Sequence, residues 1–100
     1  MTENNAYAEI SMLVHRYADA VVHRNGTQWS STWHQDAVWD LGGGRLVEGL
    51  DAIKDLWYSA MKGFEATIQT VLNGGIVVDQ SGMKASGRWY IHCLLYTSDA

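Results

Sequence analysis

The spacing of apolar residues changes along the chain, from a helical repeat to strand-like alternation, and this change limits the possible folds. Residues 6–24 repeat apolar side chains at about 100° per residue, which predicts an amphipathic helix. The members of its apolar stripe are Ile10, Leu13, Val14, Tyr17 and Val21. A short second helix is expected over residues 27–34, where two tryptophans lie one turn apart.

Alternating segments separated by glycines follow these helices. Residues 37–41 and 45–48 are predicted to form a hairpin around three consecutive glycines, and residues 51–62 a third helix. Further strands are predicted at residues 67–72, 76–79 and 84–92, with turns at 73–75 and 81–82. This order predicts an α+β fold, in which one curved antiparallel sheet carries two or three helices on one face.

Charge, hydropathy and cysteine count argue against nucleic acid and membrane as partners and against a disulfide-bonded fold. The net charge is −4 and the seven basic residues are scattered, whereas nucleic-acid binding needs clustered Lys and Arg. No apolar run approaches the roughly 20 residues that span a bilayer, and the N-terminus lacks the pattern of a signal peptide. The single cysteine, Cys93, cannot form an internal disulfide. We therefore expect a cytoplasmic protein that binds neither nucleic acid nor membrane.

The aromatic composition is unusual, with five Trp and five Tyr against one Phe. Trp and Tyr combine a large apolar body with a polar group, which suits the lining of a ligand cavity. The same residues can equally fill the core of a small domain. Composition leaves both interpretations open.

Four segments together resemble a known family. They are LVHRYADA at 13–20, WHQDAVW at 33–39, GLDAI at 49–53 and GRWYI at 87–91. Their order and spacing resemble the SnoaL-like branch of the nuclear transport factor 2-like superfamily, and the resemblance spans residues 8–92. It implies an α+β cone around a deep hydrophobic pocket and assigns residues 1–92 to an incomplete SnoaL-like domain.

Relatives in that family include the polyketide cyclases, and the branch of scytalone dehydratase and hexachlorocyclohexane dehydrochlorinase resembles this chain closely around residues 33–64. Those two enzymes use a histidine base oriented by an aspartate. The resemblance places Gln69 at the histidine position, and no carboxylate occurs from Val22 to Asn25. A glutamine cannot accept a proton near neutral pH, so the His–Asp dyad is not found.

Ketosteroid isomerase, another relative, offers a different comparison. Its oxyanion-donating tyrosine matches Tyr17, whereas its general-base aspartate falls on Leu41, one residue from Asp40. Because strand side chains alternate, Asp40 is expected on the opposite face. The sequence leaves two functions open. One is a cofactor-free lyase, isomerase or cyclase acting on a hydrophobic, aromatic or polycyclic substrate. The alternative is a non-catalytic protein that binds a hydrophobic ligand.

The candidate site follows from the stripe, the aromatic residues and the resemblance. Tyr17 is the candidate catalytic hydrogen-bond donor, and Gln69 is expected to orient the substrate. The expected pocket residues are Trp33, Trp39, Leu41, Trp57, Met61, Phe64, Asn73, Trp89 and Ile91. Two alternatives stay open: Tyr17 bonds a core neighbour instead of a ligand, and Gln69 faces solvent while its strand neighbours pack inward.

No metal site or cofactor is predicted. His15, Asp19 and His23 have the i, i+4, i+8 spacing of helical metal ligands, but they lie opposite the apolar stripe. This position favours a solvated polar face. The triple glycine at 42–44 lacks the lysine and helix of a phosphate-binding loop and is read as a hairpin turn.

The last eight residues, CLLYTSDA at 93–100, resemble translated sequencing-adapter read-through. We expect them to be a non-native tail on a C-terminally truncated fragment, because family members continue with further strands. A homo-oligomer, either a dimer or a trimer, is expected for the full-length protein. The isolated chain is expected to be molten, aggregated or dimeric, since an unpaired strand edge promotes association.

Overall fold

The computed structural model describes residues 3–97, which form helices and antiparallel strands in the predicted order. The elements are α1 (Glu3–His23), α2 (Gly26–Ser30), β1 (Val38–Gly42), β2 (Arg45–Glu48), α3 (Leu50–Met61), β3 (Ala66–Val78) and β4 (Ala85–Tyr96). The predicted α+β class is confirmed. Residues 1–2 and 98–100, which include the end of the expected tail, lie outside the described residues. Within the described range, no helix has the length and hydropathy needed to cross a membrane.

The four described strands pair in two antiparallel ladders, β1 with β2 and β3 with β4. The first ladder is the predicted hairpin. Its turn places Gly42, Gly43 and Gly44 at φ values of 83°, 62° and 81°, a region that glycine enters without steric cost. In the described residues the two ladders share no hydrogen-bonded neighbours, and α3 connects them along the chain.

The turn predicted at residues 73–75 is wrong, because β3 runs through it as one strand. The register with β4 shifts between Val71 and Gly74, as a β-bulge does when one strand carries extra residues. The bulge absorbs the glycines without reversing the chain. It also changes which residues face the helices, because Gln69 and Val71 are partly covered whereas Asn73 is exposed. Gln69 and Asn73 therefore do not share a face.

Strand β4 is longer than predicted and reaches Tyr96. Residues 93–96, assigned to the tail from the sequence, pair with residues 66–69 of β3. The Glu65 amide N–H also donates to the Tyr96 carbonyl at 2.7 Å. These bonds give the first part of the expected tail a regular place in the ladder.

An aromatic cluster forms the core. Trp29 on α2 is fully buried and stacks on Trp57 of α3, with ring centroids 4.5 Å apart and planes 11° from parallel. Ala20, Val21 and Ile53 complete the buried set. The partly buried side chains packed against it are Tyr17, Trp33, Ala37, Trp39, Val47 and Met61. Part of the aromatic content is thus core, and Tyr17 and Trp33 lie at its margin.

Polar contacts fix α1 against its neighbours. The side-chain amide of Gln28, on α2, donates to the Arg16 backbone carbonyl at 2.9 Å and to the Asp19 carboxylate at 3.0 Å. The side chain of Asn25 caps α2 by accepting from the backbone N–H of Gln28. These contacts hold α2 beside the polar face of α1.

Candidate ligand-binding site

An apolar cavity of about 290 Å³ lies between α1, the segment after α2, and β4. Its lining residues are Leu13, Val14, Tyr17, Thr32, Trp33, Trp89 and Ile91. The structure brings together four residues of the predicted site here, namely Tyr17, Trp33, Trp89 and Ile91. The volume is close to the lower limit of about 300 Å³ for small-molecule sites.

Tyr17 places a phenol at this cavity from the middle of α1. Burial raises the pKa of this phenol above its ordinary value of 10.0, because the charged form loses hydration. The Trp29 side chain opposes that shift, although its indole N–H has no partner in full hydrogen-bond geometry among the described residues. Electrostatic repulsion from Cys93 adds a further rise in the pKa. A phenol whose pKa is 10.0 or higher is protonated at neutral pH, so Tyr17 can donate a hydrogen bond.

Trp33 brings a second donor close to the cavity. Its ring lines the cavity and lies 6.4 Å from the Tyr17 ring, centroid to centroid. The indole N–H of Trp33 is buried without a hydrogen-bond partner among the described residues. The Thr32 hydroxyl, by contrast, already donates to the Trp29 carbonyl at 2.7 Å. A buried donor left unpaired is rare and calls for an explanation.

Gln69 lines a different cavity from Tyr17. This second cavity, of about 450 Å³, lies between the polar side of α1 and β3. Its lining residues are His15, Ala18, Asp19, Val22, Gln69, Thr70 and Val71. The Gln69 side-chain oxygen is buried without a partner among the described residues. The structure thus places Gln69 toward α1, as the resemblance implies, but not beside Tyr17 in the lining of the apolar cavity.

The other predicted pocket residues lie outside the lining of the apolar cavity. Trp57 is 3% exposed and belongs to the core, with Trp39 and Met61 packed against it. Leu41 is half-buried on β1, and Asn73 is exposed at the bulge. Phe64 precedes β3, where its carbonyl accepts a hydrogen bond from Arg24. This bond joins the end of α1 to the segment after α3.

Asp19, His23 and Asp40, which were weighed for other roles, have local partners. An Asp19 carboxylate oxygen lies 3.5 Å from His23 Nε2, the Asp19 carboxylate also accepts from Gln28, and the Asp19 and His23 side chains are largely exposed. The described residues contain no group of three or more His, Cys, Asp or Glu side chains that could hold a metal. Asp40 accepts from the Gly42 N–H at 2.9 Å, so its carboxylate stabilises the hairpin turn.

Three lining residues were missed from the sequence, namely Leu13, Val14 and Thr32. Leu13 and Val14 lie one turn before Tyr17 on the predicted stripe, so the helical repeat could have identified them as residues facing the same side as Tyr17. Thr32 had no such signal, because its position depends on how the chain leaves α2. Trp29 was expected to lie near Trp33, but its burial at the centre of the core follows only from the packing.

A family profile described as "SnoaL-like domain" matches residues 2–100. No curated protein sequence matches the chain significantly. Among solved structures, a candidate scytalone dehydratase from Novosphingobium aromaticivorans DSM 12444 aligns with a TM-score of 0.83 at 17% identity, over 98% of this chain and 66% of its own.

Two further structures share the fold. A type 2 hexachlorocyclohexane dehydrochlorinase, LinA, aligns with a TM-score of 0.82 at 23% identity, over 95% of this chain and 64% of its own. Aln2 from a Streptomyces species aligns with a TM-score of 0.82 at 16% identity, over 99% of this chain and 71% of its own. The chain therefore spans about two thirds of the length of these proteins, and the likeness concerns the fold.

Proposed function

Because this chain belongs to the SnoaL-like domain family, we propose that it is a small-molecule enzyme of the lyase, isomerase or cyclase type. Its substrate is hydrophobic, aromatic or polycyclic, carries an oxygen atom, and binds in a deep pocket that includes the Tyr17 cavity. One observation carries the proposal: the Tyr17 phenol, which is protonated at neutral pH, lies in a lining that is otherwise apolar and aromatic apart from Thr32. Such sites use a few polar groups to orient an apolar ligand.

In the proposed reaction, Tyr17 donates a hydrogen bond to the substrate oxygen as negative charge develops there. A donor fixed in an apolar site stabilises such charge more than water does, because it needs no reorganisation. The Trp33 indole N–H, buried without a partner among the described residues, is proposed as a second donor if its ring turns toward the ligand. Gln69 lines the other cavity, so it is proposed to orient a polar part of the substrate that extends from the Tyr17 cavity to the β3 side. The described lining of the Tyr17 cavity contains no carboxylate or imidazole, so the proton is proposed to pass either to a base on the further strands that family members carry or to a bound water.

The names of the structural neighbours favour the lyase type. Dehydration and dehydrochlorination both remove a small molecule from an organic substrate, and the chain shares the fold of proteins named for these reactions. The alternative is a non-catalytic protein that binds a hydrophobic ligand in the same cavity. The observation that favours it is Gln69, which cannot act as a base at the position that the resemblance gives to the catalytic histidine.

We further propose that the protein works in the cytoplasm without a cofactor, as a homo-oligomer that is either a dimer or a trimer. The scattered basic residues favour a small-molecule partner over nucleic acid. The single cysteine, free and exposed, is compatible with a reducing compartment. Association is supported by exposed apolar side chains of β3 and β4 that precede the expected tail, such as Val77 and Tyr90.

A matched pair of probes tests the role of Tyr17. The bicyclic ketone 1-indanone and its hydrocarbon counterpart indane differ in the carbonyl oxygen, so only 1-indanone can accept a hydrogen bond. Tyr17→Phe should weaken 1-indanone binding about three- to tenfold, the effect of one lost hydrogen bond, and leave indane binding unchanged. Tyr90→Phe, at a half-exposed position on β4, is the control. Ligand-detected NMR titrations measure both affinities.

Exchange of the 1-indanone α-protons in D₂O separates the two functions. Stabilisation of the carbonyl oxyanion acidifies these protons, so an enzyme should accelerate their exchange and Tyr17→Phe should remove the acceleration. Binding without accelerated exchange supports the non-catalytic alternative. If the protein binds neither probe, or if Tyr17→Phe lowers thermal stability and leaves both affinities unchanged, Tyr17 is a core residue and the proposal fails.

A further inference from the structure

Trp89 lies flat on the β3–β4 ladder because two glycines leave room for its ring. Gly74 pairs directly with Trp89, and Gly87 precedes Trp89 by two residues on the same strand and face. A Cβ atom placed on Gly74 would lie 2.5 Å from Cδ1 of the indole. One placed on Gly87 would lie 2.9 Å from Cη2, at the other end of the ring. Both ends of the indole therefore rest on the backbone.

Glycine is needed at these two positions because a side chain would collide with the indole, and not because the backbone angles require glycine. Neither residue has a positive φ, so an alanine could adopt either conformation. The neighbouring Gly75 shows the contrast, because a Cβ built there meets nothing within 4 Å. Glycine within a strand often marks a close approach of other atoms, and here those atoms belong to one indole.

The position of the indole determines one dimension of the apolar cavity. With one face on the sheet backbone, Trp89 lines the cavity with its other side, across from the α1 residues Leu13 and Tyr17. Any Cβ on Gly87 would push the ring toward α1 and reduce the space between them. A flat indole face also favours an offset-stacked aromatic ring over a rounded aliphatic group of similar volume.

We propose that Gly74 and Gly87 are specificity-determining residues, which hold Trp89 as a flat stacking surface and select a planar aromatic ring in the pocket. This inference rests on the proposed function, because it assigns the shape of the ligand that the Tyr17 cavity binds. Tyr17 recognises the ligand oxygen, whereas the two glycines set the thickness of the ring system that fits.

Two ketones of different shape test the selection. The probe 1-indanone is planar, whereas 2-adamantanone is a compact cage, and both offer one carbonyl oxygen to Tyr17. The unchanged protein should bind 1-indanone more tightly. Gly87→Ala should weaken 1-indanone binding by about two- to tenfold, the worth of an aromatic stack. Gly75→Ala is the matched control and should leave that affinity unchanged. Gly74→Ala is a poorer variant, because its Cβ would also lie 2.6 Å from the Arg88 carbonyl.

Trp89→Leu keeps the test decisive if Gly87→Ala does not fold. This variant retains an apolar side chain at the position but has no flat ring, so the preference for 1-indanone over 2-adamantanone should disappear. Circular dichroism melts establish that each variant is folded. The inference is overturned if the preference persists in Trp89→Leu, or if Gly87→Ala and Gly75→Ala bind 1-indanone equally well. If neither ketone binds the unchanged protein, the proposed function fails, and this inference fails with it.

Discussion

The Thr67 hydroxyl donates a hydrogen bond to the Val21 carbonyl at 2.9 Å, joining the start of β3 to the last turns of α1. Thr67 is a polar residue that is only 2% exposed. The last carbonyls of a helix have no partner within the helix, so a side chain from another element can satisfy one of them. This bond fixes the position of α1 over the sheet and, with it, the position of Tyr17.

Thr67→Val should destabilise the protein by about 1 to 2 kcal/mol, because a buried carbonyl loses its side-chain donor. The shape of the side chain changes little, so the loss reports the hydrogen bond. Thr70→Val on the same strand is the control, since Thr70 is exposed and its change should be close to neutral. Urea unfolding measures both free energies. Equal losses in the two variants would contradict the role assigned to the Thr67–Val21 bond.

Gln69→Met should have opposite effects on stability and binding. The Gln69 carbonyl oxygen is buried without a partner among the described residues, so an apolar side chain of similar length should raise the free energy of unfolding by about 1 kcal/mol. If Gln69 orients the substrate, the same variant loses turnover. Gln80→Met, at an exposed position after β3, should change neither quantity. A fall in stability of the Gln69 variant would show that the amide has a structural partner.

The sequence predicted the elements better than it predicted the site. Local signals define α1, the triple-glycine hairpin and α3, because helical periodicity and turn residues act over short spans. The bulge in β3 was missed, since Asn73-Gly74-Gly75 is equally a turn signal and a bulge signal. Only the pairing with β4 shows that the chain continues in one direction.

Some of the predicted site residues line the apolar cavity, and others belong to the core. Tyr17, Trp33, Trp89 and Ile91 share one cavity, and all except Ile91 are partly buried. Tyr17 and Trp89 lie on elements whose period was visible, whereas Trp33 follows the end of α2. Trp57 has the same residue type as Trp33, yet it stacks on Trp29 in the core. Periodicity identifies the inward face of an element. It does not identify which inward side chains leave space between them.

The Tyr17 phenol should make the protein less stable in alkaline solution. Because its pKa is raised in the folded state, the unfolded chain releases this proton first as the pH rises through 10.0, and unfolding is then favoured. The stability that the protonated Tyr17 phenol contributes is fully present below pH 10.0 and is lost as the pH rises above it. Urea unfolding at increasing alkaline pH should show a smaller loss in Tyr17→Phe than in Tyr90→Phe. Identical losses would contradict the burial of the phenol.

Strand β4 should make the protein associate. It pairs with β3 along one edge only in the described residues, and side chains on both of its faces are exposed. The exposed apolar members are Tyr90, Ile91, Leu94, Leu95 and Tyr96. An unpaired edge with apolar side chains favours pairing with another chain. We therefore expect a dimer or larger species by size-exclusion chromatography with light scattering, growing with concentration.

Leu94→Lys tests whether this strand is the contact. A lysine on an edge strand opposes pairing, because association would bury its charge, so the variant should shift toward the monomer. Leu94 pairs with Ile68, which is also exposed, so the change should have little effect on the packing of α1. Ser59→Lys adds the same charge at an exposed position on α3 and should leave association unchanged. A compact monomer with a cooperative melt in the unchanged protein would show that the edge of β4 does not drive association.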